Sequence, residues 1–103
     1  MILKDSLQTG RIDLSASDPN WNLADGEGDR AQWTRVYFER PFRRAPQIML
    51  TLVGLDAAND RNLRITLEHH SVTPYAFDLE ARTWSDSSLH YVSVMWTAFD
   101  LIG

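Results

Sequence analysis

The sequence predicts an all-β domain, a sandwich or a barrel, on three observations. Apolar and polar residues alternate with a period of two through several segments, turn signals recur at short intervals, and no stretch carries a helical apolar stripe over three turns. At 103 residues the chain suits a single domain spanning 1–103, with a core over about 8–99.

The first strand is expected near Leu7 to Leu14, where Gln8-Thr9-Gly10-Arg11-Ile12 opens the alternation. A polar zone follows and makes residues 15–33 the main loop. Its Asp18-Pro19-Asn20 and Asp25-Gly26-Glu27-Gly28-Asp29 are turn chemistry. A loop of that length in a compact chain is usually functional. Thr34, Val36 and Phe38 then alternate with Arg35, Tyr37 and Glu39, and Pro41 and Pro46 bracket a break. Ile48 to Leu55 is nearly continuous apolar, which predicts a strand covered on both faces. After a turn over Asp56 to Arg61, Leu63, Ile65, Leu67 and His69 alternate with Arg64, Thr66, Glu68 and His70. Ser71 to Tyr75 ends that strand, and Phe77, Leu79 and Ala81 mark the next. The last strand carries Val92, Val94 and Trp96 on one face and Tyr91, Met95 and Phe99 on the other. Large groups on both faces predict that the outer one meets another subunit; the plainer alternative is that Tyr91 and Phe99 cover their own monomer. About six strands result, a usual size for a sheet assembly.

Composition narrows the function classes. Charged residues make up 23% and the net charge is -4, which does not suit a phosphate backbone, so no nucleic-acid partner is expected. Local basic clusters at Arg40, Arg43 and Arg44, and at Arg61 and Arg64, could meet an anionic glycan or a carboxylate. The chain has no cysteine, so it has neither disulfides nor thiolate metal sites. Met1-Ile2-Leu3-Lys4-Asp5 lacks the apolar run of a signal peptide, and no segment approaches the ~20 apolar residues of a membrane span. No membrane insertion is expected, and synthesis in the cytosol is, with the product released by lysis or carried on a larger particle.

Catalytic and metal motifs are absent. His69 and His70 are adjacent on a strand and point to opposite faces, so the pair cannot chelate one ion; His69 is expected to be buried or interfacial. Asp25-Gly26-Glu27-Gly28-Asp29 lacks the ligand order and closing Glu of a calcium loop. No pair of carboxylates is marked out for glycoside hydrolysis, no Ser lies in a nucleophile elbow and no Gly-rich phosphate loop follows a strand. The expectation is a binding module with no enzyme activity, no metal and no cofactor.

An ordered set of short pieces supplies the function. Gly10-Arg11-Ile12-Asp13, Trp21, Val36-Tyr37-Phe38, Pro41-Phe42, Pro46, Leu52, Gly54-Leu55-Asp56, Asn62-Leu63-Arg64, Ser71-Val72-Thr73-Pro74, Phe77, Thr83-Trp84 and Val94-Met95-Trp96 follow one another in the order and spacing of a known module. Together they resemble the H-type lectin domain, the sugar-binding module of the snail agglutinins and of the discoidin C-terminal domain. The resemblance covers about Gln8 to Phe99. It implies a six-stranded antiparallel β-sandwich that trimerises, with some members stacking trimers into hexamers. It also implies shallow sites between protomers that hold galactose or N-acetylgalactosamine.

By that resemblance the carbohydrate-binding residues are Asp29, Arg64, Trp84, Ser85, Asp86 and His90. Asp29 matches an acidic residue in the loop before the second strand, Arg64 a basic residue near the start of the fourth, and Trp84 the residue that opens the site turn. Ser85 and Asp86 stand where some snail lectins have His and Asn, and His90 stands where they have an aromatic platform. These departures bear on which sugar is held. Asp86 and His90 could serve a different hexose, or Arg61, Arg64 and His90 a uronic or sialic carboxylate. The chemistry is apt for a pyranose: Asp accepts from hydroxyls, Arg donates through a fixed fork, and a ring covers the apolar C–H face. Each residue also has a plainer role. Trp84 could pack at a strand end, Arg64 could pair across strands with Glu80 or Asp78, and Asp29 could cap its Gly-rich turn. The competing expectation is a structural or adhesion module of a larger particle, such as a spike or tail.

Overall fold

The computed structural model describes residues 7–100. Six strands follow in order: β1 (Leu7–Ser15), β2 (Arg30–Tyr37), β3 (Gln47–Ala57), β4 (Thr66–His70), β5 (Ala76–Thr83) and β6 (Leu89–Phe99). They form two antiparallel sheets, ordered β1-β6-β3 and β2-β5-β4. There is no helix among the described residues. The alternating pattern therefore reads out as a sandwich, with the two central strands supplying most of the core. Phe77, Leu79 and Ala81 of β5 and Val92, Val94, Trp96 and Ala98 of β6 are buried in one cluster. Phe38 joins them, with ring centroids 5.9 Å from Phe77 and 5.7 Å from Trp96.

Three expectations from the sequence are corrected. The apolar run in β3 is not covered on both faces: β3 is an edge strand, and Met49 and Val53 are exposed. A register shift between Leu52 and Gly54 breaks its alternation, as a bulge does. The strand buried on both faces is β5, whose Ala76 and Glu80 are buried too, Glu80 lying between Trp33 of β2 and Glu68 of β4. Second, β4 begins at Thr66 rather than Leu63. The segment before it spends carbonyls on side chains instead of on a neighbouring strand: Thr83 Oγ1 donates to Arg64 O and Ser87 Oγ to Asn62 O. Third, His69 is not buried within its own chain, because β4 is a short edge strand with little chain to cover it, which leaves the interfacial alternative as the expectation.

The outer face of β6 divides in two. Tyr91 is tied within its own chain, donating to Asp13 Oδ1 at 2.9 Å and accepting from Arg11 at 3.2 Å. Ser93 donates to the same Asp13 oxygen at 2.6 Å. These hydrogen bonds, Ser93 first and then Arg11 and Tyr91, hold the Asp13 carboxyl below its usual value. Gly54 makes room for the Tyr91 ring, since a Cβ there would sit 3.2 Å from it. Exposed apolar side chains on this face include Leu7, Met49 and Met95, with Val53 at the bulge of β3.

Gly10 lies opposite Trp96 in the β1–β6 ladder. A Cβ at Gly10 would lie 2.7 Å from Cζ2 of Trp96 and 2.8 Å from Cε2 and Nε1. That indole is wedged against Phe38 and Phe77 and cannot swing away freely. Gly10→Ala is therefore expected to destabilise the domain by about 1–3 kcal/mol, the usual cost of overpacking. A urea melt checks this; an unchanged midpoint would mean that the indole finds a second rotamer.

Candidate functional site

Three separate chain segments meet at the end of the sandwich where β2 begins and β5 ends. The pairing of Arg30 with Thr83 zips these strand ends together, so Asp29 and Trp84 leave the sheet side by side. Gly28 N–H then donates to Ser85 O at 3.0 Å and docks the Gly-rich loop on the turn after β5. Gly26 and Gly28 have φ of 90° and 80°, a conformation that glycine adopts without steric cost and that bends the loop back here. Ser85 has φ 59°, unusual for a residue with a side chain. This kink turns the Trp84-Ser85 pair outward, and both are exposed.

Arg30 holds this arrangement in place. Its guanidinium donates to five carbonyls from both loops: Leu23 O (3.4 Å), Asp25 O (3.1 Å), Gly28 O (3.1 Å), Ser85 O (3.0 Å) and Ser87 O (2.9 Å). A flat cation with five N–H groups suits that task, because each donor points in a different fixed direction. Sequence reasoning missed Arg30. Nothing in an Arg that follows an Asp at a strand start reveals that it will bind backbone some 55 residues away.

Arg64 approaches from the third segment. Its Nη1 donates to Asp86 Oδ1 at 2.7 Å and to Ser87 Oγ at 3.1 Å. The cross-strand pair with Glu80 or Asp78 does not form: Arg35 takes Asp78, and His70 and Arg82 take Glu80. The hydrogen bond from Arg64 is the largest of the influences that hold the Asp86 carboxyl below its usual value. Asp86 stays ionised at neutral pH, and 46% of its side chain remains open to solvent. Beside it lies a polar depression of about 370 Å³ lined by Asn59, Asp60, Arg61, Asn62 and Asp86. The β3–β4 connection that forms this wall read in the sequence as a turn, with Arg61 marked out for a carboxylate, and Arg61 lies in the wall beside Asp86.

The expected site residues are thus partly gathered. Asp29, Trp84 and Ser85 lie together, and Arg64 and Asp86 are bonded to each other next to them. The Asp29 carboxylate caps nothing: no hydrogen bond or ion pair of its side chain occurs among the described residues. Trp84 is 36% exposed, so its ring is not a core residue. His90 is exposed at the start of β6, where its carbonyl accepts from Ala16 N–H, and no side-chain bond joins it to the cluster. Trp21 has a purely structural part, donating Nε1–H to Leu89 O at 2.8 Å. The result is a shallow patch that offers free carboxylate oxygens, an oriented guanidinium and an exposed indole.

Comparison with known proteins bears on this patch. The H-type lectin domain family matches residues 33–99, a span that includes Arg64, Trp84, Ser85, Asp86 and His90. Asp29 falls just before it. The chain is 29% identical over 91 residues to the protein "ATP synthase subunits region ORF 7" of Fuscovulum blasticum, covering 88% of this chain and 79% of that one. The fold is similar to that of wild-type discoidin II from Dictyostelium discoideum, with a TM-score of 0.81 at 22% identity. That likeness covers 92% of this chain and 36% of discoidin II. A second structure, of recombinant discoidin II, gives a TM-score of 0.81 at 23% identity, covering 92% and 37%. The chain thus spans about a third of discoidin II, and the likeness there is one of fold. With most of the chain matched by the family and the two-sheet sandwich it implies in place, this chain belongs to the H-type lectin domain family.

Proposed function

We propose that this domain binds cell-surface carbohydrate without turning it over, and that terminal galactose- or N-acetylgalactosamine-like sugars are its ligands. Asp29, Arg64, Trp84, Ser85, Asp86 and His90 are the residues assigned to the site. The observation that carries this reading is the pairing of an exposed indole with an unengaged carboxylate, held side by side by backbone hydrogen bonds next to the Arg64–Asp86 pair. Hydroxyls take the carboxylate oxygens and the guanidinium, and the apolar sugar face takes the ring. Among the described residues Trp84 and Ser85 are exposed on the outer side of the patch, which suits a site completed by a neighbouring protomer of a trimer. The exposed Met49, Val53 and Met95 supply apolar surface for such a contact. A single shallow site is weak, and repetition around a symmetric oligomer raises avidity by about 10²–10⁴.

A glycan array probed with the purified protein tests the proposal, with galactosides beside uronic and sialic acids. Binding to a defined set of terminal sugars is the expected result. Silence from folded protein favours the second reading, a docking module of a larger particle, which the exposed apolar face of the β1-β6-β3 sheet supports. Trp84→Ala is expected to weaken binding about tenfold or more, as loss of an exposed aromatic anchor does. Its effect on the melting temperature should be small, since the indole lies outside the core. Titration calorimetry on the best array sugar checks the variant; unchanged affinity would remove Trp84 from the site.

A further inference from the structure

We infer that the outer face of the β2-β5-β4 sheet carries a binding site for a first-row divalent transition metal, Zn²⁺ being the best match, built from Glu68, His70 and Glu80. The site shares no residue with the sugar patch. Glu68 and His70 are two apart on β4 and share one face, while Glu80 lies directly across from Glu68 on β5. One imidazole nitrogen faces both carboxylates: His70 Nε2 is 3.0 Å from Glu80 Oε1 and 3.5 Å from Glu68 Oε2. The three candidate ligand atoms all lie within 4.8 Å of one another. Donors bound to one ion at about 2.0–2.2 Å in tetrahedral geometry stand about 3.4 Å apart, so small rotations of the exposed Glu68 side chain complete the set. One imidazole and two carboxylates form a ligand set that zinc accepts, with a further position left open.

Two further features point the same way. Glu68 and Glu80 form a like-charged pair directly opposite each other, which destabilises a sheet; Arg82 offsets the charge of Glu80 through Oε2, and a metal ion among the three side chains would offset that of Glu68 as well. Glu80 is also only 2% exposed, roofed on its other side by Trp33, whose ring centroid is 4.9 Å from that of His70. The Arg82 guanidinium bonds the other Glu80 oxygen, Oε2, and leaves Oε1 turned toward the cluster. A hydrogen-bonded outer partner of that kind orients a metal-binding carboxylate. The open position faces solvent, since Glu68 is exposed and His70 half-buried. The neighbouring His69 takes no part, as it points to the opposite face.

The test is isothermal titration of the full chain with ZnCl₂, and with CoCl₂ while tryptophan fluorescence is followed. Saturable binding of one ion per chain is expected, and Co²⁺ should quench part of the emission through Trp33. Glu68→Gln and His70→Ala should each weaken Zn²⁺ at least tenfold while circular dichroism shows the native fold. Trp33→Phe should retain the stoichiometry and lose most of the quenching. Glu68→Gln lies at an exposed position, so it stays informative if His70→Ala does not fold. The inference is overturned if the wild type takes up no ion at millimolar Zn²⁺, or if binding is indifferent to Glu68→Gln and to every folded His70 variant.

Discussion

Arg30→Ala is expected to destabilise the domain by about 2–4 kcal/mol and to weaken glycan binding at least tenfold, although Arg30 is not assigned to the sugar. Five carbonyls share its guanidinium. Two of them keep another donor after truncation: Leu23 O accepts from Leu89 N–H, and Ser85 O from Gly28 N–H. Asp25 O, Gly28 O and Ser87 O lose the donor that Arg30 supplies. Each charge-assisted bond is worth about 1.5–3 kcal/mol, and water recovers part of that where the loop is exposed. The loss should appear as faster amide exchange through 24–29 and 85–88, not through the core of β5 and β6. Arg30→Lys should recover less than half of it, because one ammonium cannot span acceptors on two loops. A urea midpoint within about 0.5 kcal/mol of wild type would mean that water serves these carbonyls as well as the guanidinium does.

Arg64→Ala is expected to abolish detectable glycan binding with a smaller loss of stability, about 1 kcal/mol, since the pair it breaks is partly exposed. Asp86 would lose the partner that fixes its carboxylate, and Ser87 Oγ would lose a donor. Asp86→Asn separates the two contributions: it leaves a hydrogen-bond acceptor for Arg64 and removes only the charge. Acid provides a third handle. The Asp86 pKa is lowered, so the ionised pair is intact above the ordinary carboxylate range of about 4 and is lost as the pH falls through the lower folded value. The part of binding that Arg64→Ala removes should therefore persist down to about pH 4 and be lost below it, which calorimetry on the wild type and the variant side by side measures. If Arg64→Ala binds like wild type at every pH, the sugar lies elsewhere.

The outer face of β5 shows why part of this molecule could not be read along the chain. Its Asp78, Glu80 and Arg82 look like the solvated face of a half-buried strand. Yet Glu80 is buried, because Trp33 and His70 close over it from the flanking strands. Cross-strand neighbours depend on register, which a local pattern does not carry. The continuous apolar run of β3 misled in the opposite direction. Apolarity was read as two-sided cover, whereas the strand sits at a sheet edge with Met49 and Val53 exposed.

Sequence alone determined the all-β class, the existence and order of six strands and the family, because alternation, turn chemistry and spaced anchors are local properties of the chain. It also singled out Asp29, Arg64 and Trp84 before any contact was known. Tertiary structure alone decided that Asp29 and Trp84 stand side by side, that Arg64 holds Asp86 and that Arg30 binds two loops together. It likewise decided that Glu68, His70 and Glu80 converge. Each of these turns on a strand register or a loop docking between residues far apart in the chain. Such contacts arise only when the two sheets close on their shared core, through burial that specifies apolar area and leaves unspecified which polar neighbours it will bring together.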